Sequence, residues 1–263
     1  MPLTAAQIDE RHAFAIELAQ EAGALAARYF ADIESLEVRS KGLQDVVSQA
    51  DVETEMLIKS RIAERYPDDA FLGEETGAEG LGDAEGIWVV DPIDGTQPFV
   101  SGLPNWCVSI AFVVDGVTRS GVVFNPTERE LFAAREGAGA SLNGRPIRVR
   151  EATSLEDGIV TLGYSRRSPI ESIVTALDRL LRGGGMFSRN GSGALGLCYV
   201  ANGRFIGYVE PHINSWDCLA GLLCITEAGG VTNDWLAGDA LLEGNRIVAG
   251  PPGIYDALDA LLP

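Results

Sequence analysis

Apolar residues at Ile8, Ala15, Leu18, Ala22, Leu25 and Tyr29 recur at steps of three, four and seven, which predicts a helix through the first thirty residues with one buried face. Thr4 and Gln7 have the spacing of a capping box at its start. A second helix is predicted over 49–65, opened by Ser48 and Asp51 at the same spacing and stopped by Pro67. Past Pro67 the period shortens. Ala70-Phe71-Leu72 reads as a strand running into Gly73-Glu74-Glu75, residues 76–86 as a loop, and Ile87-Trp88-Val89-Val90 as a buried strand ending at Asp91-Pro92. Val108–Val114 and Val117–Phe124 flank Asp115-Gly116, the signature of a two-residue hairpin. Leu131–Ala134 and Ile147–Val149 read as further strands, separated by a turn at Asn143-Gly144.

The second half alternates. Ile159–Leu162 predicts a strand, Ile170–Leu181 a helix stopped by Gly183-Gly184-Gly185, Ala194–Ala201 a helix and Phe205–Val209 a strand. Asp217–Ala228 predicts an apolar helix closed by Gly229-Gly230, followed by short strands at Val231-Thr232 and Ile247–Ala249 and a last helix over Ile254–Leu262. The pattern predicts an α+β subdomain over 1–150 joined to an α/β subdomain over 151–263, with the two forming one compact unit.

Composition narrows the function. With 46% hydrophobic and 22% charged residues the chain can bury a core, which excludes global disorder. Its formal charge of −18 argues against nucleic acid as a partner, because phosphate backbones are bound by clustered Lys and Arg. An anionic small molecule remains compatible, because a bound cation reverses the local sign. The four cysteines form no paired motif and the two histidines are far apart, which argues against zinc. Scattered thiols, no apolar run of about 18 residues and no basic-then-apolar start together predict a cytoplasmic protein without a membrane span. His212 has no ligand-type neighbour at metal spacing and reads as structural, and Arg166-Arg167 as a solvated loop.

The informative feature is where the acids fall. Glu74 follows one strand; Asp91 follows another, with Asp94 three residues on; Asp217 opens a helix. Singly, these have ordinary readings as a loop, a turn and an N-cap. Carboxylates at strand ends and helix starts can nevertheless converge on one crevice. At about 4 Å, two of them repel by roughly 4 kcal/mol at an effective dielectric near 20, so they stay ionised together only around a cation. Hard oxygen donors select Mg²⁺. Gly95-Thr96 at a helix start adds backbone N–H groups suited to an anion.

Taken together these segments resemble the inositol monophosphatase family. Trp88-Val89-Val90-Asp91-Pro92-Ile93-Asp94-Gly95-Thr96, followed by Phe99 and Gly102-Leu103-Pro104, resembles its first signature. Ser215-Trp216-Asp217-Cys218-Leu219-Ala220-Gly221, with Glu227-Ala228-Gly229-Gly230, is similar to its second. Lys41 through Asp51, Gly73-Glu74-Glu75 and Leu142 through Ile147 match further family segments in order.

The resemblance implies a layered αβαβα sandwich, usually a homodimer, and a Mg²⁺-dependent, lithium-sensitive phosphomonoesterase. It would hydrolyse myo-inositol 1-phosphate or a similar polyol or sugar phosphate. Glu74, Asp91 and the Ile93 carbonyl would hold one Mg²⁺, and Asp91, Asp94 and Asp217 a second, with a third near Glu74 held mostly by water. Asp45 and Thr96 would together activate the attacking water, with Glu74 in the catalytic set, and Gly95 and Thr96 would cradle the phosphate. Gly191, Ser192, Gly193 and Glu210 match polyol-contacting positions, with Ser192 and Gly193 substituted and Gln97-Pro98 a departure at the pocket mouth. Rival readings are a histidinol-phosphate phosphatase, then a nucleotide 3′-phosphatase or fructose-1,6-bisphosphatase, and a ligand-binding relative without turnover. A phosphatase with a covalent aspartyl intermediate fits poorly, because Asp91 and Asp94 are spaced Asp-x-x-Asp rather than Asp-x-Asp.

Overall fold

The two long helices lie where the apolar spacing puts them. In a computed structural model, which describes residues 3–42, 45–82 and 84–263 with the side chains at 35, 39–42, 45 and 46 outside the described set, α1 spans Ala5–Ala31 and α2 spans Gln49–Arg65. Both open on the expected capping boxes, Thr4 with Gln7 and Ser48 with Asp51. The buried face of α1 is centred on Phe14, Ala15, Leu18, Ala19, Ala22 and Ala26, so small residues let it lie close to the sheet beneath.

Two antiparallel strands, β1 (Val38–Gly42) and β2 (Asp45–Ser48), join these helices. Next come β3 (Ala70–Gly73), β4 (Gly77–Glu79), β5 (Ile87–Asp94), the short helix α3 (Thr96–Val100), β6 (Cys107–Val114), β7 (Val117–Asn125), β8 (Glu130–Arg135), β9 (Gly139–Leu142) and β10 (Arg145–Pro146). Their sheet has the order β10-β9-β8-β7-β6-β5-β3-β4, with β3 and β5 parallel and the other neighbours antiparallel. The hairpin turn at Asp115-Gly116 forms as expected, both residues having positive φ.

Beyond it run β11 (Ile159–Leu162), α4 (Ile170–Arg182), β12 (Met186–Ser188), α5 (Gly193–Ala201), β13 (Gly207–Ile213), α6 (Ser215–Glu227), β14 (Val231–Thr232), α7 (Ala240–Glu243), β15 (Asn245–Gly250) and α8 (Tyr255–Asp259). The second sheet has the order β12-β11-β13-β15-β14, parallel across its first three strands and antiparallel beyond.

The layers follow from what each face buries. Phe14, Leu18, Ile58 and Ile62 of α1 and α2 pack on Trp88, Ile110 and Phe112 on one face of the large sheet. Its other face meets α5 and α6 through Leu195, Leu197, Leu219 and Ile225, and these helices also cover Tyr208, Ile247 and Ala249 of the second sheet. Ala176 and Leu180 of α4 and Leu258 of α8 close the far side. The order is therefore helix, sheet, helix, sheet, helix, as expected. Contact between α6 and the large sheet is intimate at Gly121, where a Cβ would fall 2.7 Å from the Ala220 carbonyl oxygen. A buried ion pair braces the outer helical layer: Arg11 donates to both Asp69 oxygens at 2.8 and 2.9 Å, and Trp88 Nε1 donates to Asp69 at 2.9 Å.

Some expected elements differ. Ile147–Val149 is not a strand: Asn143-Gly144 folds Arg145-Pro146 back on Leu142 and Ser141, and the chain then leaves the sheet as Val149 N–H bonds the Ala228 carbonyl. The 76–86 loop contains β4, an edge strand of three residues. The last helix starts later than expected because Pro252–Ile254 forms a 3₁₀ turn before α8.

Candidate active site

Parallel pairing of β3 with β5 sets Gly73 opposite Val90, so Glu74 and Asp91, one residue further along each strand, leave the sheet side by side. β5 is irregular against β6 between Asp91 and Asp94, where Asp91 Oδ1 accepts the Ile93 N–H at 2.9 Å. From the opposite layer, α6 delivers Asp217 in its first turn, where Oδ2 accepts from Asn214 N–H at 3.4 Å and Nδ2 at 3.2 Å. One carboxylate oxygen each from Glu74, Asp91 and Asp217 lies within 4.8 Å of the others.

Asp94 stands beside this trio but is engaged elsewhere. Its Oδ2 accepts from Ser192 Oγ at 2.6 Å and Ala194 N–H at 2.7 Å, and its Oδ1 from Gly193 N–H at 3.2 Å. It thus lies at the positive end of α5, where exposed N–H groups favour a carboxylate. Ser192 and Gly193, expected at the substrate, direct these donors at Asp94, and Ser192 Oγ also caps Leu195 N–H at 3.2 Å.

Gly95 turns the chain into α3 at φ 99°, and a Cβ there would fall 2.7 Å from the Asn105 carbonyl oxygen, so only glycine fits. The Thr96 hydroxyl then donates to Asp51 Oδ1 at 3.1 Å and lies 3.2 Å from the Ile93 carbonyl oxygen. The side chain of Asp45, the expected partner of Thr96, lies outside the described residues, as do Leu43 and Gln44 of the Lys41–Asp51 segment.

Two acids of α2 join the site beyond those expected: Asp51, expected only as a helix cap, and Glu55. Both are fully buried on α2, four residues apart on one face. Asp51 accepts from Ser48 N–H and Oγ at 2.9 and 2.5 Å and from Thr96. Glu55 accepts from Glu75 and Thr76 N–H at 2.9 and 2.7 Å, fixing the loop that carries Glu74. The available signal was two acids at i, i+4 on the same face as Ile58 and Ile62, where buried carboxylates need partners.

Negative charge is concentrated here, with Arg167 acting on Asp217 and Arg189 on the cavity wall. Burial, then Glu74, Asp94 and Asp217, pushes the Asp91 carboxyl well above the usual range. Burial and then Asp217 push Asp94 up to about 7, against the pull of Ser192, Ala194 and Gly193. Burial also raises Asp217, opposed by Asp91, Asn214 and Arg167. Hard oxygen donors this close, with Asp91, Asp94 and Asp217 disfavoured as bare anions, fit a divalent cation such as Mg²⁺.

Two cavities meet at this cluster, sharing Arg189, Asn190 and Gly191. One, of about 470 Å³, is bounded by Glu74, Gly95, Thr96 and Gln97. Pro98 is buried and packs on Gly191, where an added Cβ would lie 2.6 Å from its Cγ, so the departure at 98 forms part of this wall. The other, of about 160 Å³, reaches from Asp94 and Asp217 down to Thr161, Tyr208 and Glu210. Burial pushes Glu210 up to about 8, although Tyr208 donates to it at 2.7 Å. Arg167 bonds the Asn214 side chain rather than standing free, and His212 is structural as expected, its Nε2 2.9 Å from the Glu243 carbonyl oxygen. The four cysteines are buried and free, and among the described residues no helix is long and apolar enough to cross a membrane.

Comparison with known proteins agrees with this geometry. Residues 7–262 match the inositol monophosphatase family. The chain is 38% identical over 239 residues to the Nus factor SuhB of Haemophilus influenzae, covering 90% of each protein. It is 37% identical over 245 residues to the inositol-1-monophosphatase of Mesorhizobium japonicum, covering 92% of each. The crystal structure of the extragenic suppressor protein SuhB of Bartonella henselae superposes with a TM-score of 0.87 at 34% identity, covering 94% of this chain and 95% of that one.

Proposed function

Because the chain belongs to the inositol monophosphatase family, we propose that it is a Mg²⁺-dependent phosphomonoesterase acting on myo-inositol 1-phosphate or a related small polyol or sugar phosphate. The convergence of Glu74, Asp91 and Asp217 oxygens within 4.8 Å, at the junction of two polar cavities, carries this reading. When bound there, Mg²⁺ would neutralise phosphate charge and acidify water at neutral pH.

The chain's own residues do the rest. Glu74, Asp91, Asp217 and the Ile93 carbonyl would hold the ion, and Asp94, with its oxygens on α5, would join them at the cost of some of those hydrogen bonds. Gly95 and Thr96 would present N–H groups to the phosphate from the start of α3. Thr96, anchored by Asp51, would orient the attacking water, and Asp45 would assist as the resemblance implies. The leaving alcohol would occupy the smaller cavity, where Glu210 accepts its hydroxyls. Catalysis here is positioning and electrostatics, with no covalent intermediate on the protein.

Phosphate release is the test. Purified protein with Mg²⁺ should hydrolyse myo-inositol 1-phosphate faster than histidinol phosphate, a nucleoside 3′-phosphate or fructose 1,6-bisphosphate, and Li⁺ should inhibit. Asp217→Asn should abolish turnover while leaving the circular dichroism spectrum unchanged. Full activity in that variant would show the site to be misassigned, and a faster rate on histidinol phosphate would move the substrate to the rival.

A further inference from the structure

The floor of the smaller cavity surrounds Glu210 with polar residues, Thr161 and Tyr208, that have no part in the acid cluster. Thr161 and Tyr208 are register partners on the adjacent parallel strands β11 and β13, and Glu210 lies two residues beyond Tyr208 on the same face. All three are buried, at 2%, 2% and 5% exposure, yet line the cavity. Thr161 Oγ1 is buried with no hydrogen-bond partner among the described residues, and so are Ser165 Oγ and Asn190 Nδ2 on the same cavity wall. Buried polar atoms left in this state cost free energy unless a ligand or water completes them. Three of them around one pocket, with a carboxylate beside them, match a ligand carrying several hydroxyl groups.

Tyr208 sets the geometry of that carboxylate. Its hydroxyl donates to Glu210 Oε2 at 2.7 Å. Its ring is clamped by α5 at Gly196, where a Cβ would fall 2.8 Å from Cε2. At Gly163 a Cβ would land on the Glu210 carboxylate and 2.6 Å from the Tyr208 hydroxyl, so the strand end is kept bare to seat the pair. A carboxylate on a flexible stem would otherwise sample several rotamers, and a donor fixed between strand and helix removes that freedom.

Resting on the polyol-phosphatase reading above, we propose that Tyr208 is a positioning residue for leaving-group selection. By occupying Glu210 Oε2 it directs Oε1 to accept a hydroxyl of the alcohol half of the substrate, with Thr161 completing the floor. The Tyr208 hydroxyl bonds Glu210 rather than an oxygen of the acid cluster, so its effect falls on the part of the ester that carries hydroxyls.

The test compares two esters with the same phosphate, myo-inositol 1-phosphate and p-nitrophenyl phosphate, in the Mg²⁺-loaded full-length protein. In Tyr208→Phe, kcat/KM for the inositol ester should fall about tenfold, the scale of one lost hydrogen bond, while p-nitrophenyl phosphate stays within about twofold. Inhibition by inorganic phosphate should not change. Gly163→Ala, which keeps the tyrosine but displaces the carboxylate, should lose the same selectivity and serves if the first variant folds poorly. Equal losses on both esters, or none on either, in a folded variant would overturn the assignment of Tyr208 and leave the phosphatase reading standing. Failure of the wild type to release phosphate from either ester would overturn that reading and the proposal with it.

Discussion

The two sides of the cleft differ in how they hold the polar groups that face it. On the side built by α2, β5 and α3, hydrogen bonds hold the catalytic segment from behind: Asp51 ties Thr96, Glu55 ties the Glu75-Thr76 turn, and Asp91 ties Ile93 N–H. On the side built by β11, β13 and the approach to α5, Thr161, Ser165 and Asn190 keep buried atoms without partners among the described residues. Repelling carboxylates need a rigid frame, because any loosening lets them separate and the ion site is lost. A cavity that must accept a ligand's hydroxyls needs the reverse, donors and acceptors left open until the ligand arrives. One wall can therefore be tested by removing charge and ties, the other by removing orientation.

The largest expected effect comes from the acids. Asp91→Asn should lower Mg²⁺-dependent turnover by on the order of 10³ while leaving the metal-free melting temperature equal or higher, because one repelling charge is gone. Calorimetric titration with Mg²⁺ and thermal melts with chelator measure the two halves, and a clear loss of metal-free stability would contradict the repulsion. The same crowding appears in the pH dependence. Asp94 is raised from 3.8 to about 7, so the metal-free fold retains a proton that the unfolded chain releases above pH 4. That stabilisation is full below the unfolded pKa and is lost as pH rises from there through about 7. Metal-free melts should therefore fall from pH 5 to 8 more steeply in the wild type than in Asp94→Asn, and Mg²⁺ should flatten the fall. Equal slopes in the two proteins would refute it.

Away from the cleft, Arg11→Ala strands the buried Asp69 carboxylate and should cost about 3–5 kcal/mol in urea unfolding, with kcat changed less than about twofold when folded. The smallest effect sharpens the comparison most. Asp51→Asn keeps a capping side chain on α2 but weakens the tie to Thr96, so kcat should fall about tenfold with KM and Mg²⁺ affinity unchanged. A matching rise in KM would place the effect on substrate binding instead.

Much of this was legible in the chain. The 3.6-residue spacing and capping pairs located α1 and α2, and Asp115-Gly116 located the β6–β7 hairpin, because these are local rules. Glu74, Asp91 and Asp217 were readable as candidates because each ends a strand or opens a helix beside a family signature. Their meeting depends on the β3–β5 register and on α6 packing against the large sheet, which local spacing cannot supply. Asp51 was visible only as a helix cap, since its second bond reaches a residue 45 positions away. The donors of Ser192 and Gly193 are hidden for a similar reason: they turn inward to Asp94, a contact spanning 98 and 99 positions, while both residues also line the smaller cavity. β4, β12 and α7 escaped notice because three or four residues carry too little period to register.

The central claim is that Glu74, Asp91 and Asp217 share a divalent ion, and Mn²⁺ reads it directly. Crystals grown with Mn²⁺ should show an anomalous scattering peak between these three carboxylates, and the peak should vanish in Asp91→Asn. Mn²⁺-saturated crystals with no peak there, or with Mn²⁺ bound only at other acids of this strongly anionic surface, would contradict the account.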